Sequence, residues 1–145
     1  MEELWKIEFT DDLLTGINEV DDAHRQLAQS ANDLYEMCIN IDTKKNDLLD
    51  YMEKVQDVLC AHFDKEIALF ESYNLDDCQA HKQIHEKFKE SVLNLVTKPS
   101  PVLVKGMMLN QLINHYLKDH FLKEDKECII KIRKINSDRL KDNLN

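Results

Sequence analysis

Apolar residues recur along this chain at alternating spacings of three and four, which places them on one face of an α-helix. The first of four such stripes contains Val20, His24, Leu27, Ala31, Leu34 and Cys38. The second contains Leu48, Met52, Val55, Leu59, His62, Glu66 and Leu69. The third contains Cys78, His81, His85, Phe88, Val92 and Leu95, and the fourth Val102, Gly106, Leu109, Ile113, Tyr116 and His120. After a one-residue change of phase, a shorter stretch contains Asp125, Cys128, Ile132 and Ile135.

Four amphipathic helices with short connections predict an all-α fold, an antiparallel up-down-up-down four-helix bundle. The 145 residues suffice for one domain with one core. We expect an N-terminal arm at 1–18, the bundle at 19–122, and a short C-terminal helix with a tail at 123–145. Trp5 and Phe9 of the arm are expected to cover one end of the bundle. With only two glycines and two prolines, the chain has few residues that interrupt helices.

The negative charge of the chain argues against binding to other polyanions. A net charge of −9 and a pI near 5.1 disfavour a general affinity for nucleic acids or anionic membranes. No apolar run approaches the roughly 18 residues of a membrane-spanning helix, and the first residues are acidic where a signal peptide would be basic. We therefore expect a cytoplasmic protein. Its four cysteines show no CxxC pair and are expected to be reduced thiols in the core.

Five of the six histidines lie on these apolar stripes, together with two carboxylates, Glu66 and Asp125. A single buried histidine is usually a core residue with one hydrogen bond. Burying this many imidazoles and carboxylates without compensation would cost several kcal/mol per group, and a bound metal cluster supplies the compensation. Imidazole and carboxylate ligands without thiolates suit iron, zinc, copper or manganese. In a pair of octahedral metals these ligands and one bridging oxygen would fill about eleven of about twelve positions and leave one open.

Other interpretations of the same residues are weaker. Cys78, His81 and His85 have a spacing that could hold zinc, but they lack a fourth ligand nearby and leave the other stripe histidines unexplained. The segment HKQIH has the spacing of a zinc-protease motif, with Lys82 in place of the glutamate base. His115 lies just off its stripe and is expected at the surface or behind the metal ligands. The chain has no phosphate-binding or dinucleotide-binding glycine pattern and no Ser-His-Asp order.

Four segments together resemble the hemerythrin family, particularly the bacterial hemerythrins. They are VDDAHRQL with His24, HFDKE with His62 and Glu66, HKQIHEKF with His81 and His85, and HFLKED with His120 and Asp125. The resemblance spans the chain from about Trp5 to Asp125 and implies a non-haem centre of two iron ions. It implies that His81, His85 and His120 hold one iron and that His24 and His62 hold the other. Glu66 and Asp125 would bridge the two ions beside an oxo or hydroxo group.

The resemblance also implies a function. Dioxygen would bind at the open position of the two-histidine iron, in a pocket formed by Leu27, Phe63, Tyr116, Leu117 and Phe121. Two of these depart from the family, which usually has tryptophan at 116 and commonly isoleucine at 121. The expected function is reversible dioxygen binding for storage, delivery or sensing, by a binding protein, with a monomer favoured. The alternative is a di-iron enzyme that reduces peroxide, dioxygen or nitric oxide with electrons from a redox partner.

Overall fold

The computed structural model describes residues 5–73, 80–119 and 126–144, without the side chains of 80–82, 126 and 142–144. A short 3₁₀ turn at Asp11–Leu13 precedes five helices: α1 (Asn18–Ile39), α2 (Lys45–Ser72), α3 (Ala80–Thr97), α4 (Val102–His115) and α5 (Lys126–Leu144). These described ranges contain no β-strand. None of their helices combines the length and apolarity that crossing a membrane requires.

The first four helices form the predicted antiparallel bundle. Helix α1 packs against α2 and α4, and α3 packs against the same two helices, so the four enclose one core. Most of the described stripe residues are buried there, which confirms the all-α fold class. The stripe of α2 ends differently from the prediction. Phe70 is buried in a second apolar cluster with residues of α5, whereas Leu69 is only partly buried against that cluster.

The N-terminal arm runs along the side of the bundle instead of covering its end. The backbone N–H of Ile7 donates to Asn32 Oδ1 at 2.7 Å, and Asn32 Nδ2 donates back to the Ile7 carbonyl at 2.9 Å. The buried Asn110 of α4 donates from Nδ2 to the carbonyls of Trp5 at 2.8 Å and Ala31 at 2.7 Å. One amide thus joins the arm, α1 and α4, and the Trp5 ring stacks on Tyr35 of α1.

A buried carboxylate fixes the start of α1. Asp21 is 4% exposed, and its Oδ1 accepts hydrogen bonds from the backbone N–H of Thr15 at 2.8 Å and the Thr15 hydroxyl at 2.7 Å. Its Oδ2 accepts from the N–H of Gly16 at 3.2 Å. Gly16 has a φ of +84°, which favours glycine because a Cβ is strained there. These hydrogen bonds fix the first turn of α1 at Asp21, which lies about one helical turn before His24.

The buried apolar residues of the described chain form two clusters. Leu27, Phe63, Tyr116 and Leu117 belong to the large cluster within the bundle. The smaller cluster joins α5 to the beginning of α1 and the end of α2, through Leu13, Val20, Phe70, Cys128, Ile129 and Ile132. Cys38 and Cys60 are free, as predicted, but Cys128 is disulfide-bonded, so the expectation of four reduced thiols is wrong there. Cys78 lies outside the described residues.

Candidate metal centre

Two of the predicted ligands come from successive turns of α2. Residues four apart lie on the same helix face, and His62 Nε2 is 2.9 Å from Glu66 Oε2. His24 approaches from α1, with its ring centroid 4.9 Å from that of His62. One ligand atom from each of the three residues lies within 4.8 Å of the others. All three are buried, with exposures of 0% for His24, 6% for His62 and 2% for Glu66.

Tyr116 adds a phenol to this group. Its hydroxyl donates to Glu66 Oε2 at 2.6 Å and lies 2.9 Å from His62 Nε2. The residue is fully buried and begins a π-helical turn at 116–119, directly after α4. Such turns insert an extra residue into a helix and occur frequently at functional sites. The phenol of Tyr116 continues the stripe of α4 and contacts His62 and Glu66 on the facing side of α2.

An aromatic shell surrounds the cluster and includes the third described stripe histidine. His85 of α3 is fully buried, with its ring centroid 5.5 Å from Phe63, 6.3 Å from Phe70 and 6.1 Å from Tyr116. The fully buried Leu27 and Leu117 belong to the same core as Phe63 and Tyr116. Four helices of the bundle or their ends therefore contribute to one buried site that is polar at its centre and apolar around it.

The electrostatics of Glu66 fit a cation site. Burial raises the pKa of this carboxyl, but the neighbouring His62, His85 and His24 outweigh burial and lower the pKa from 4.5 to about 2. One oxygen contacts His62 and Tyr116, whereas Oε1 is buried without a hydrogen-bond partner among the described residues. An ionised carboxylate with an unsatisfied buried oxygen is costly unless a cation compensates it. The donor set of two imidazoles and a carboxylate suits a first-row transition metal such as iron.

We expect Glu66 to contribute to the acid stability of the metal-free protein. Because its pKa is lower in the folded state than in the unfolded chain, the ionised carboxylate favours folding above pH 4.5, and this contribution is lost as the pH falls toward 2. Glu66→Gln should therefore flatten the decline in the free energy of unfolding across this interval. Urea unfolding of both metal-free proteins at several pH values measures it, with the exposed Asp57→Asn as control. Equal declines in wild type and Glu66→Gln would contradict the prediction.

A groove connects the cluster to the surface. It lies between α1 and α2, has a volume of about 780 Å³, and is bordered by both His62 and Glu66. Its outer lining includes Glu19, Asp22 and Lys65. A metal ion or a small molecule therefore has a path to this side of the buried site.

The structure brings together some of the sequence-predicted residues and leaves others untested. His24, His62, Glu66 and Tyr116 meet directly, and His85, Phe63, Leu27 and Leu117 lie in the surrounding core. His120, Phe121 and Asp125 lie outside the described residues, as does the side chain of His81. His115 is exposed, as expected for a surface residue, and its Nδ1 lies 2.8 Å from Asp119 Oδ2.

Sequence reasoning missed two features of the site. Phe70 was not placed on a stripe, although it lies four residues after Glu66, which is a signal that the spacing rule could have used. The sequence placed Tyr116 in the lining of a pocket but gave no sign that its hydroxyl reaches Glu66 and His62. Helical spacing predicts that Tyr116 is buried but does not specify the partner of its hydroxyl.

The fold and the cluster define a class of protein, a helical bundle with a buried histidine and carboxylate site in its core. Comparison with known sequences gives the family. Residues 15–129 match the family model of the Hemerythrin HHE cation binding domain, and this chain belongs to that family. The family implies non-haem iron binding.

Individual relatives are more distant. The chain is 26% identical to the Bacteriohemerythrin of Pseudomonas aeruginosa (strain LESB58) over 132 residues, which cover 91% of this chain and 85% of that protein. It is also 26% identical to the Bacteriohemerythrin of Clostridium acetobutylicum over 133 residues, covering 87% of this chain and 98% of the relative. The similarity thus extends over nearly the whole length of both relatives.

Proposed function

We propose that this protein binds dioxygen reversibly at a non-haem centre of two iron ions, for oxygen storage, delivery or sensing. The observation that supports this proposal most strongly is the buried group of His24, His62 and Glu66, whose ligand atoms lie within 4.8 Å of one another. In the proposed centre His24 and His62 bind one iron, His81, His85 and His120 bind the other, and Glu66 and Asp125 bridge them with an oxo or hydroxo group.

The surroundings of the group also support dioxygen binding. Leu27, Phe63 and Leu117 are almost fully buried in the apolar core beside the site. Such a shell limits the access of water and protons to a bound gas, which favours release over reaction. Phe121 is proposed as a further wall of the pocket.

One observation favours a second function, in which the same centre reduces peroxide, dioxygen or nitric oxide with electrons from a redox partner. The Tyr116 hydroxyl points at Glu66 from within the pocket, at 2.6 Å. A hydroxyl there provides a proton donor next to the proposed gas site, and proton donors promote the loss of reduced oxygen species. Turnover distinguishes the two functions, because only the enzyme consumes reductant over many cycles.

Reconstitution tests the first function. Metal-free protein loaded with ferrous iron under anaerobic conditions should retain two iron ions per chain after desalting. Exposure to air should produce a visible absorption band that disappears when dioxygen is removed under vacuum and returns on re-exposure. Zinc-loaded protein serves as the control and should remain colourless.

The same experiment has outcomes that contradict the proposal. A chain that retains no iron, or an iron-loaded chain without a dioxygen-dependent band, would exclude dioxygen binding. A band that decays within seconds, together with catalytic consumption of added reductant, would support the enzyme. A cytoplasmic location and a monomeric state are further proposals, tested by cell fractionation and by light scattering.

A further inference from the structure

The hydroxyl of Tyr116 belongs to a compact triangle of potential ligand atoms. It lies 2.6 Å from Glu66 Oε2 and 2.9 Å from His62 Nε2, and those two atoms lie 2.9 Å from each other. Metal–oxygen and metal–nitrogen bonds of about 2.1 Å in an octahedron place neighbouring ligand atoms about 3 Å apart. These three atoms therefore have the spacing of one face of a coordination octahedron.

The phenol is held firmly in this place. Its ring packs edge-to-face against Phe63 at 5.0 Å and against Phe88 at 5.6 Å between centroids, and the side chain is fully buried. Turning it out of the site would remove its ring from the core. An ion bound by His62 and Glu66 would therefore have the Tyr116 oxygen as a neighbour.

The chemistry of a phenolate gives this contact a preference among oxidation states. Phenolate is a hard anionic oxygen ligand, and tyrosine is a known ligand of iron, as in haem catalases. It binds ferric iron strongly and ferrous iron weakly, because its attraction grows with the charge of the ion. As a ferric ion binds, the hydroxyl proton passes to solvent and the oxygen becomes a ligand.

We propose that Tyr116 is a metal ligand in the oxidised protein and occupies the position beside His24 and His62 that is open in the reduced protein. The inference rests on the proposed function, because it assigns this position to the same iron site. It adds that the oxidised centre is closed to external ligands by a residue of the chain itself. When a redox partner supplies one electron to this iron and solvent supplies one proton, the neutral phenol returns to its hydrogen bond with Glu66 and leaves the position to an external ligand.

Spectroscopy of the oxidised, iron-loaded protein tests the proposal. We expect a visible phenolate-to-iron charge-transfer band whose resonance Raman spectrum contains enhanced phenolate ring vibrations. Tyr116→Phe should lose these vibrations while it retains the iron content of the wild type, and it should bind azide at least tenfold more tightly. Tyr51→Phe is the matched control, since Tyr51 is a half-buried tyrosine that bonds to Asp33 at the surface of α1. It should leave the spectrum unchanged.

The wild-type spectrum alone can overturn the proposal, so the result does not depend on how well the variant folds. Oxidised wild type without enhanced phenolate vibrations would show that Tyr116 is not a ligand. Vibrations that persist in Tyr116→Phe would assign them to another tyrosine. Dioxygen binding is measured on the reduced protein, so its presence or absence decides the proposed function separately from these outcomes.

Discussion

Replacement of His62 by alanine is expected to remove at least half of the iron that the wild type retains and to weaken the dioxygen-dependent band about tenfold or more. The imidazole contacts Glu66 at 2.9 Å and lies next to His24, so its loss removes one of the two nitrogen ligands proposed for this iron. Changes even to groups behind metal ligands commonly lower metal affinity about 10–100-fold. Metal analysis and absorption spectra of desalted protein measure both effects.

His115→Ala provides the matched control for this prediction. His115 has the same side chain but is exposed; its Nδ1 lies 2.8 Å from Asp119 Oδ2, and its ring centroid lies 5.8 Å from that of Phe88. It should retain the full iron content and band, and circular dichroism should show equal helicity in both variants. Full iron retention in His62→Ala would show that the assigned role is wrong. Equal losses in the two variants would show that the effect is not specific to the site.

The sequence was sufficient to predict the helices and the meeting of His24, His62 and Glu66 because both depend on regular spacing. His62 and Glu66 lie one helical turn apart, so any helix over that segment brings them together. His24 lies on the stripe that α1 turns toward α2, and the burial of that stripe determines where its imidazole points. Helical spacing therefore predicted that the side chains of His24, His62 and Glu66 would meet, as they do in the structure.

The hydrogen-bond partners that polar side chains find on other elements could not be predicted. Tyr116 lies on the regular stripe of α4, so its burial could be predicted, but helical spacing does not specify which groups of another helix its hydroxyl contacts. Asn110 accounts for the position of the arm, because it bonds to a carbonyl 105 residues away. That partner is a backbone group, which every residue has, so nothing in the sequence identified it.

The site places polar and charged groups in the core of the bundle. A carboxylate that is 2% exposed and two nearly buried imidazoles occupy positions where leucines would pack at no electrostatic cost. The described contacts satisfy one oxygen of Glu66 and leave Oε1 without a hydrogen bond in that part of the chain. A bound cation would supply the missing partner of Oε1 and thereby stabilise the fold.

Iron binding should consequently raise the thermal stability of the wild type substantially. A ligand at about a thousand times its dissociation constant adds about 4 kcal/mol to the free energy of unfolding. For a domain of this size that corresponds to an increase in Tm of about 10 °C or more. Calorimetry of metal-free and ferrous protein under anaerobic conditions measures the increase.

Glu66→Leu separates the effect of the bound metal from that of the surrounding packing. The leucine removes the buried carboxylate, while the Tyr116 hydroxyl keeps a partner in His62 Nε2, 2.9 Å away. Because the ionised Glu66 carboxylate itself favours folding above pH 4.5, each protein is compared with and without iron, and we expect iron to raise the Tm of Glu66→Leu by only a small fraction of the wild-type increase. If iron stabilised Glu66→Leu as much as the wild type, Glu66 would not be a ligand.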